Sequence, residues 1–284
     1  MAWGQACCAG AAAVTPGRLL LHEPALIGVR VRAALGLGSY GSDGRFRGNP
    51  DGTRELDFEQ DLFGTLRVLK RGQVGVLLPV LEASRATRST GSEFGGGLGD
   101  VAVSARYDFV WAGENHVVPG IAAFAGASFP SGRAPEDAHL ALASDATGVG
   151  AVRSSFGLAL EQVFGPVLVQ ASALVAKRAN RTVHGLDSAR ALEWNTTLAV
   201  GYSFPSDVGL AAALSYSWEG RSTLDGENIA DSEQRLLEAS AAISVPLGQF
   251  WRAQGALFLT PPISGVGQNR LTEAGASGTI IRSF

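Results

Sequence analysis

Cysteine, charge and long apolar runs are what this sequence has least of. Its two cysteines, Cys7 and Cys8, are adjacent. Neighbouring thiols cannot staple distant segments, so a disulfide framework is excluded, and two thiol ligands alone do not make a metal site. No stretch of 18 apolar residues occurs, which excludes a transmembrane helix but not strands, whose period of two escapes hydropathy windows. Charged residues make up only 17%, the net charge is -3 and no basic tract stands out, so nucleic acid is not an expected partner. The four histidines, His22, His116, His139 and His184, fall in a terminal segment, a turn and two loops. None shares a strand face with a serine, which argues against a Ser/His lipid hydrolase. His184 lies near Asp187 and Ser188, but in a long loop.

What the chain does have is 37 glycines and strict alternation. Successive side chains of a strand point to opposite faces, so parity can be scored. Ile27, Val29, Val31, Leu35 and Leu37 share one face, while Arg30 and Arg32 share the other. The same holds for Leu62, Leu66 and Val68 against Asp61, Thr65 and Arg67. Residues 101–111 give the cleanest example, with Val101, Val103, Tyr107, Phe109 and Trp111 opposed to Ser104, Arg106 and Asp108. Further strands fall near 74–80, 117–129, 152–164, 167–177, 192–204, 208–218, 235–245, 250–260 and 272–284.

The connections alternate between short turns and long polar loops: residues 81–100, 130–147, 178–191 and 219–233 read as loops, with a short helix over 134–144. About twelve strands joined this way are expected to close into an all-β, antiparallel, up-and-down transmembrane β-barrel, with short periplasmic turns and long outer loops. Aromatics gather at both strand ends. Phe109, Trp111, Phe164, Phe204, Trp251 and Phe284 lie near short turns, and Trp194, Tyr216 and Trp218 near long loops, as two interfacial girdles would require. A soluble sandwich also alternates, but needs no girdle at either end.

By parity, twelve charged residues point inward as a polar pore lining: Arg30, Arg32, Asp57, Glu59, Asp61, Arg67, Arg106, Asp108, Arg153, Glu161, Glu193 and Glu238. Such groups can select by charge and size, or pair across the lumen and merely satisfy it. Either way, no catalytic set, metal or cofactor is called for. Residues 49–53, Asn-Pro-Asp-Gly-Thr, lack the spaced ligands of a calcium loop and read as a turn. The glycines at 95–97 and 99 are not followed by the Lys-Ser/Thr of a phosphate loop.

Residues 96–109, GGLGDVAVSARYDF, residues 71–80, RGQVGVLLPV, and Asn269-Arg270-Leu271-Thr272 resemble segments of a family of bacterial outer-membrane transporters of the phenol-degradation meta-pathway type. The resemblance covers most of the chain after about residue 25. It implies passive movement of small, aromatic or hydrophobic compounds across the outer membrane, and it defines no functional residues to carry over.

The expected organisation is therefore an N-terminal segment, residues 1–24, serving as a periplasmic tail or a lumen plug, followed by a barrel over residues 25–284. Residues 4–6, Gly-Gln-Ala, read as the small-x-small end of a signal peptide; a lipoprotein cysteine at Cys7 would want leucine where Gly4 stands. Expected partners are outer-membrane lipid, a small solute, and the barrel-assembly machinery through the C-terminal Phe284. Arg282 interrupts the apolar face that Ile280 and Phe284 share, and is expected to snorkel to headgroups. The alternatives are a barrel that binds through its outer loops without a pore and, less favoured, a barrel lipid hydrolase.

Overall fold

The computed structural model describes residues 17–115 and 117–284. Cys7, Cys8, the signal-like Gly4-Gln5-Ala6 and His116 lie outside the described residues. Twelve antiparallel strands form a closed barrel. They are β1 (Ala25–Tyr40), β2 (Arg54–Leu69), β3 (Gly72–Thr87), β4 (Val101–Val110), β5 (Gly120–Phe129) and β6 (Arg153–Phe164). The second half comprises β7 (Val167–Arg178), β8 (Glu193–Ser203), β9 (Gly209–Glu219), β10 (Gln234–Pro246), β11 (Trp251–Leu259) and β12 (Leu271–Ser283).

Each strand pairs with its sequence neighbours. Closure is made by β12 on β1, with Val29 opposite Ile280 and Arg32 opposite Ser277. A closed ladder leaves no unpaired edge, the condition that a lipid surround imposes on strands.

The molecule is apolar outside and charged inside. Val29 is 50% exposed, as are Leu62 at 45% and Leu257 at 66%, whereas Asp61 and Glu161 are 0% and 2% exposed. Water would make such an outer surface costly, at roughly 25 cal/mol per Å² of apolar area; hydrocarbon makes it favourable. Tyr107 and Phe109 meet edge to face, as do Tyr202 and Phe204. Arg282 points outward at the short-turn end, with its guanidinium 5.0 Å from the Phe284 ring and 5.7 Å from that of Trp251. The girdle thus screens its charge at the interface.

Several loops differ from expectation. Residues 91–98, read as part of a polar loop, form a strand paired with the outer half of β3, from Val80–Leu98 to Thr87–Gly91. Together with β4 they make one long partner strand, offset at Gly99 and Asp100. A Cβ on Gly99 would lie 2.3 Å from Leu81. Asp100 uses the offset to accept the amides of Gly132, at 3.0 Å, and Val149, at 2.8 Å.

The helix expected over 134–144 is reduced to a single 3-10 turn, Pro135–Asp137, and β5 begins at Gly120 rather than at 117. Loops 178–191 and 219–233 are ordered too. Arg181–Val183, Leu186–Ala189, Thr223–Leu224 and Glu227–Asn228 join in a four-stranded sheet above the barrel. These segments lie beyond the apolar belt, where water meets both faces and no alternation is required.

The loop over residues 130–149 is held by Asp145, which accepts the amides of His139 and Leu140 and pairs with Arg133. The two amides and the guanidinium hold its carboxyl at about 2, below the ordinary 3.8. Because the folded value is depressed, the anchoring is complete above about pH 3.8 and is lost as pH falls towards 2. Protection of residues 130–149, taken against the intrinsic exchange rate at each pH, should therefore fall between pH 4 and 2, and Asp145→Asn should abolish that dependence. Equal protection at pH 5 and pH 2 would contradict it.

Candidate functional site: a charged lumen around an aromatic chamber

Alternation along β1 and β2 sends Arg30, Arg32, Asp57, Glu59 and Asp61 inward, and the register sets Arg30 opposite Asp61 and Arg32 opposite Glu59. Arg30 Nε lies 2.7 Å from Asp61, and its Nη2 lies 3.5 Å from Glu59. Arg32 reaches Glu59 at 3.8 Å, bonds Glu273 on β12 and stacks 4.1 Å from the centre of the Phe258 ring. Glu238 lies within electrostatic reach of Arg32 and Glu273. Asp57 stands apart, with one buried oxygen that has no partner among the described residues.

A second cluster spans β4 and β6. Arg106 donates to Asp108 at 3.0 and 2.9 Å and to Glu161 at 2.8 Å. A fourth member comes from outside the strands: Arg18 reaches Glu161 at 2.6 Å and Asp108 at 3.4 Å. Two guanidinium groups and two carboxylates, none more than 11% exposed, neutralise one another. Burial without such pairing would cost several kcal/mol per ion. Near the long-loop end, Arg153 grips Glu193 through Nε and Nη2 at 3.0 and 2.9 Å. Arg67 sits at the opposite end and donates to the carbonyls of Leu20, Glu23 and Lys70.

Beside the twelve residues read from parity stand Arg18, Gln73, Glu273 and Arg252, which that reading missed, and it missed the aromatics. Phe63, Phe124 and Phe258 all face the lumen, each directly across from a glycine: Gly28, Gly157 and Gly275. A Cβ on those glycines would meet the ring at 2.4, 2.4 and 2.3 Å, so the tip of each ring occupies the space that its neighbour's missing side chain leaves. The sequence signal was a large aromatic on the polar parity, opposite a glycine. A cavity of about 580 Å³ opens beside two of these rings, lined by Phe63, Phe124, Leu77 and Leu174 with Arg18, Arg30 and Arg106 and with polar side chains such as Thr65, Gln73, Ser104 and Gln170.

Residues 17–24 cross the lumen at the short-turn end. Leu19 is buried with Leu26, Ile281 and Phe63. Its amide donates to Gln73, and Thr65 donates to the carbonyl of Gly17 at 2.9 Å.

No family model and no curated protein matches the sequence. Solved structures do. An outer-membrane channel from Pseudomonas putida F1 superposes with a TM-score of 0.75, at 15% identity, over 94% of this chain and 97% of its own. This chain has the outer-membrane barrel fold. The NanC porin aligns at a TM-score of 0.53 and 10% identity, over 90% of this chain and 100% of its own. The translocator domain of the autotransporter NalP from Neisseria meningitidis aligns at 0.50 and 12%, over 92% and 88%.

In that fold the strand ends and their loops form the two mouths of the lumen. At the outer one, Arg181 pairs with Glu136, and Arg85 donates to the carbonyls of Leu142 and Ala143. His184 occupies the tip of the outer hairpin at φ 51°. The nearby Asp187 accepts from Thr182, and its amide donates to Asp225.

Proposed function

We propose that the protein is a passive outer-membrane channel for small molecules with aromatic or hydrophobic bodies. The observation that carries this reading is the chamber of about 580 Å³ inside the barrel, which brings Phe63, Phe124, Leu77 and Leu174 together with three arginines and a set of hydroxyl and amide side chains. That volume suits a single small ligand. Paired Arg and carboxylate groups, rather than free ones, set the field along the route. The twelve inward charges serve as its lining, residues 17–24 as its plug, and Phe284 with its girdle as the handle for barrel assembly and lipid. The resemblance to phenol-pathway transporters supports the same solute class.

The test is uptake into liposomes by the refolded chain, comparing a phenol-sized aromatic acid with a sugar of similar mass. Selective passage of the aromatic is the expected result. Equal passage would make the protein a general pore. If a heat-modifiable, folded barrel passes neither, transport is refuted. The ordered outer sheet then favours a binding role for the loops.

A further inference from the structure

At the long-loop end, the outward faces of β6 to β10 bring one row of side chains to a common level. Phe156 stands opposite Val175, Val175 opposite Trp194, Trp194 opposite Trp218, and Trp218 opposite Arg235. The three aromatics are exposed on the outside of the barrel. Lys177 lies one outward position beyond Val175, where β7 runs into its loop, and both Lys177 and Arg235 are exposed. Two tryptophans thus stand between two cations at the margin of the apolar belt.

Neutral acceptors hold both cations and leave their charge uncancelled. The Lys177 ammonium donates to the carbonyl of Arg190, and Arg235 Nε donates to the side-chain oxygen of Gln268 at 2.9 Å. Neither pairs with a carboxylate among the described residues. The acidic groups nearby are turned away or engaged. Glu193 and Glu219 face the lumen, the first gripped by Arg153 and the second beside Arg178 and Arg190, while Glu233 pairs with Arg221 at 3.2 Å. From Ser154 on β6 to Val245 on β10, no outward position of a strand carries a carboxylate. Tryptophan favours headgroup depth, and a cation at that depth attracts the anionic part of a lipid.

We infer that this face binds a lipid bearing two phosphates on a disaccharide-sized headgroup. One phosphate meets Lys177 and the other meets the Nη groups of Arg235, with the headgroup lying across the two indoles. Three interstrand steps, about 14 Å, separate β7 from β10. That is too far for one phosphate to bridge, and it matches a disaccharide with a phosphate at each end. The acyl chains run down the belt past Leu158, Ala173 and Tyr216, the outward residues of the row below. The site goes beyond the channel reading and rests only on the lipid-facing belt.

The test is native mass spectrometry of the refolded full chain, released from a neutral detergent after addition of lipid A, its dephosphorylated form or phosphatidylglycerol. Lipid A should bind one to a barrel and roughly twentyfold more tightly than the dephosphorylated form, about fivefold for each basic side chain. Phosphatidylglycerol, with one phosphate, should fall between them. The double variant Lys177→Gln, Arg235→Gln should lose most of that preference, and each single variant about fivefold. Lys177→Arg with Arg235→Lys should keep it. Arg54→Gln, which removes an outward arginine from the long-loop end of β2, should leave it unchanged. Equal binding of lipid A and its dephosphorylated form would overturn the proposal. So would glutamine variants that migrate as heat-modifiable barrels and bind lipid A as the native chain does. An equal loss in Arg54→Gln would replace the site with a diffuse attraction to a basic rim. Failure of solute uptake would leave the site standing, and failure of lipid A binding would leave the channel standing.

Discussion

Arg18→Ala should raise single-channel conductance severalfold and shift the reversal potential towards cation selectivity. Arg18 joins residues 17–24 to the Arg106 cluster, reaching Glu161 and Asp108. Without it, Glu161 and Asp108 face Arg106 alone, and the cluster carries a net negative charge. Removing one partner of a buried pair costs about 3–5 kcal/mol, more than the hydrogen bonds of Gly17 and Leu19 return at about 1 kcal/mol each. The inner end of the segment should then leave the lumen. Its short-turn end stays tethered by Arg67, which holds the carbonyls of Leu20 and Glu23, and by the Glu23–Arg252 pair. Arg18→Lys should restore most of the selectivity by supplying the charge. Planar-bilayer recordings decide it: an alanine variant with wild-type conductance and selectivity would show that residues 17–24 do not gate the lumen.

Gly28→Ala should destabilise the barrel by about 1–3 kcal/mol, the usual cost of overpacking, and should lower solute flux. The added methyl would lie 2.4 Å from Phe63 Cζ and 2.9 Å from both Cε atoms, with no backbone in the way. The ring must therefore lift off the wall, and the space available to it is the chamber. Gly278→Ala is the control, since nothing lies within 4 Å of its Cβ position. The denaturant midpoint and liposome uptake should both fall for the first variant and neither for the second. Unchanged uptake in Gly28→Ala would mean that the ring does not border the solute's route.

Within the belt the strands were legible because each position has only two environments, hydrocarbon or lumen. That binary choice writes Val29, Val31, Leu62 and Leu66 on one parity, and Arg30, Arg32 and Asp61 on the other. The register followed almost as directly, since slipping one residue would turn Asp61 into lipid.

Beyond the belt the code ends. Residues 91–98 carry Glu93 inward and Phe94 outward among glycines, a pattern indistinguishable from a loop, and only pairing with the outer half of β3 makes them a strand. The two hairpins of the outer sheet are joined by contacts between segments about 35 residues apart, Ser188 with Leu224 and Ala189 with Thr223, and no local pattern encodes such a pairing.

The sequence by itself determined the fold class and the strand parity, because lipid enforces a period of two on every spanning residue. Tertiary structure alone decided what the lumen charges do. Arg18 entered a cluster with carboxylates about 90 and 143 residues away, and Phe63 found the bare backbone of Gly28. Each of these outcomes depends on which groups closure of the ring brings face to face across the lumen, and parity carries no information about that.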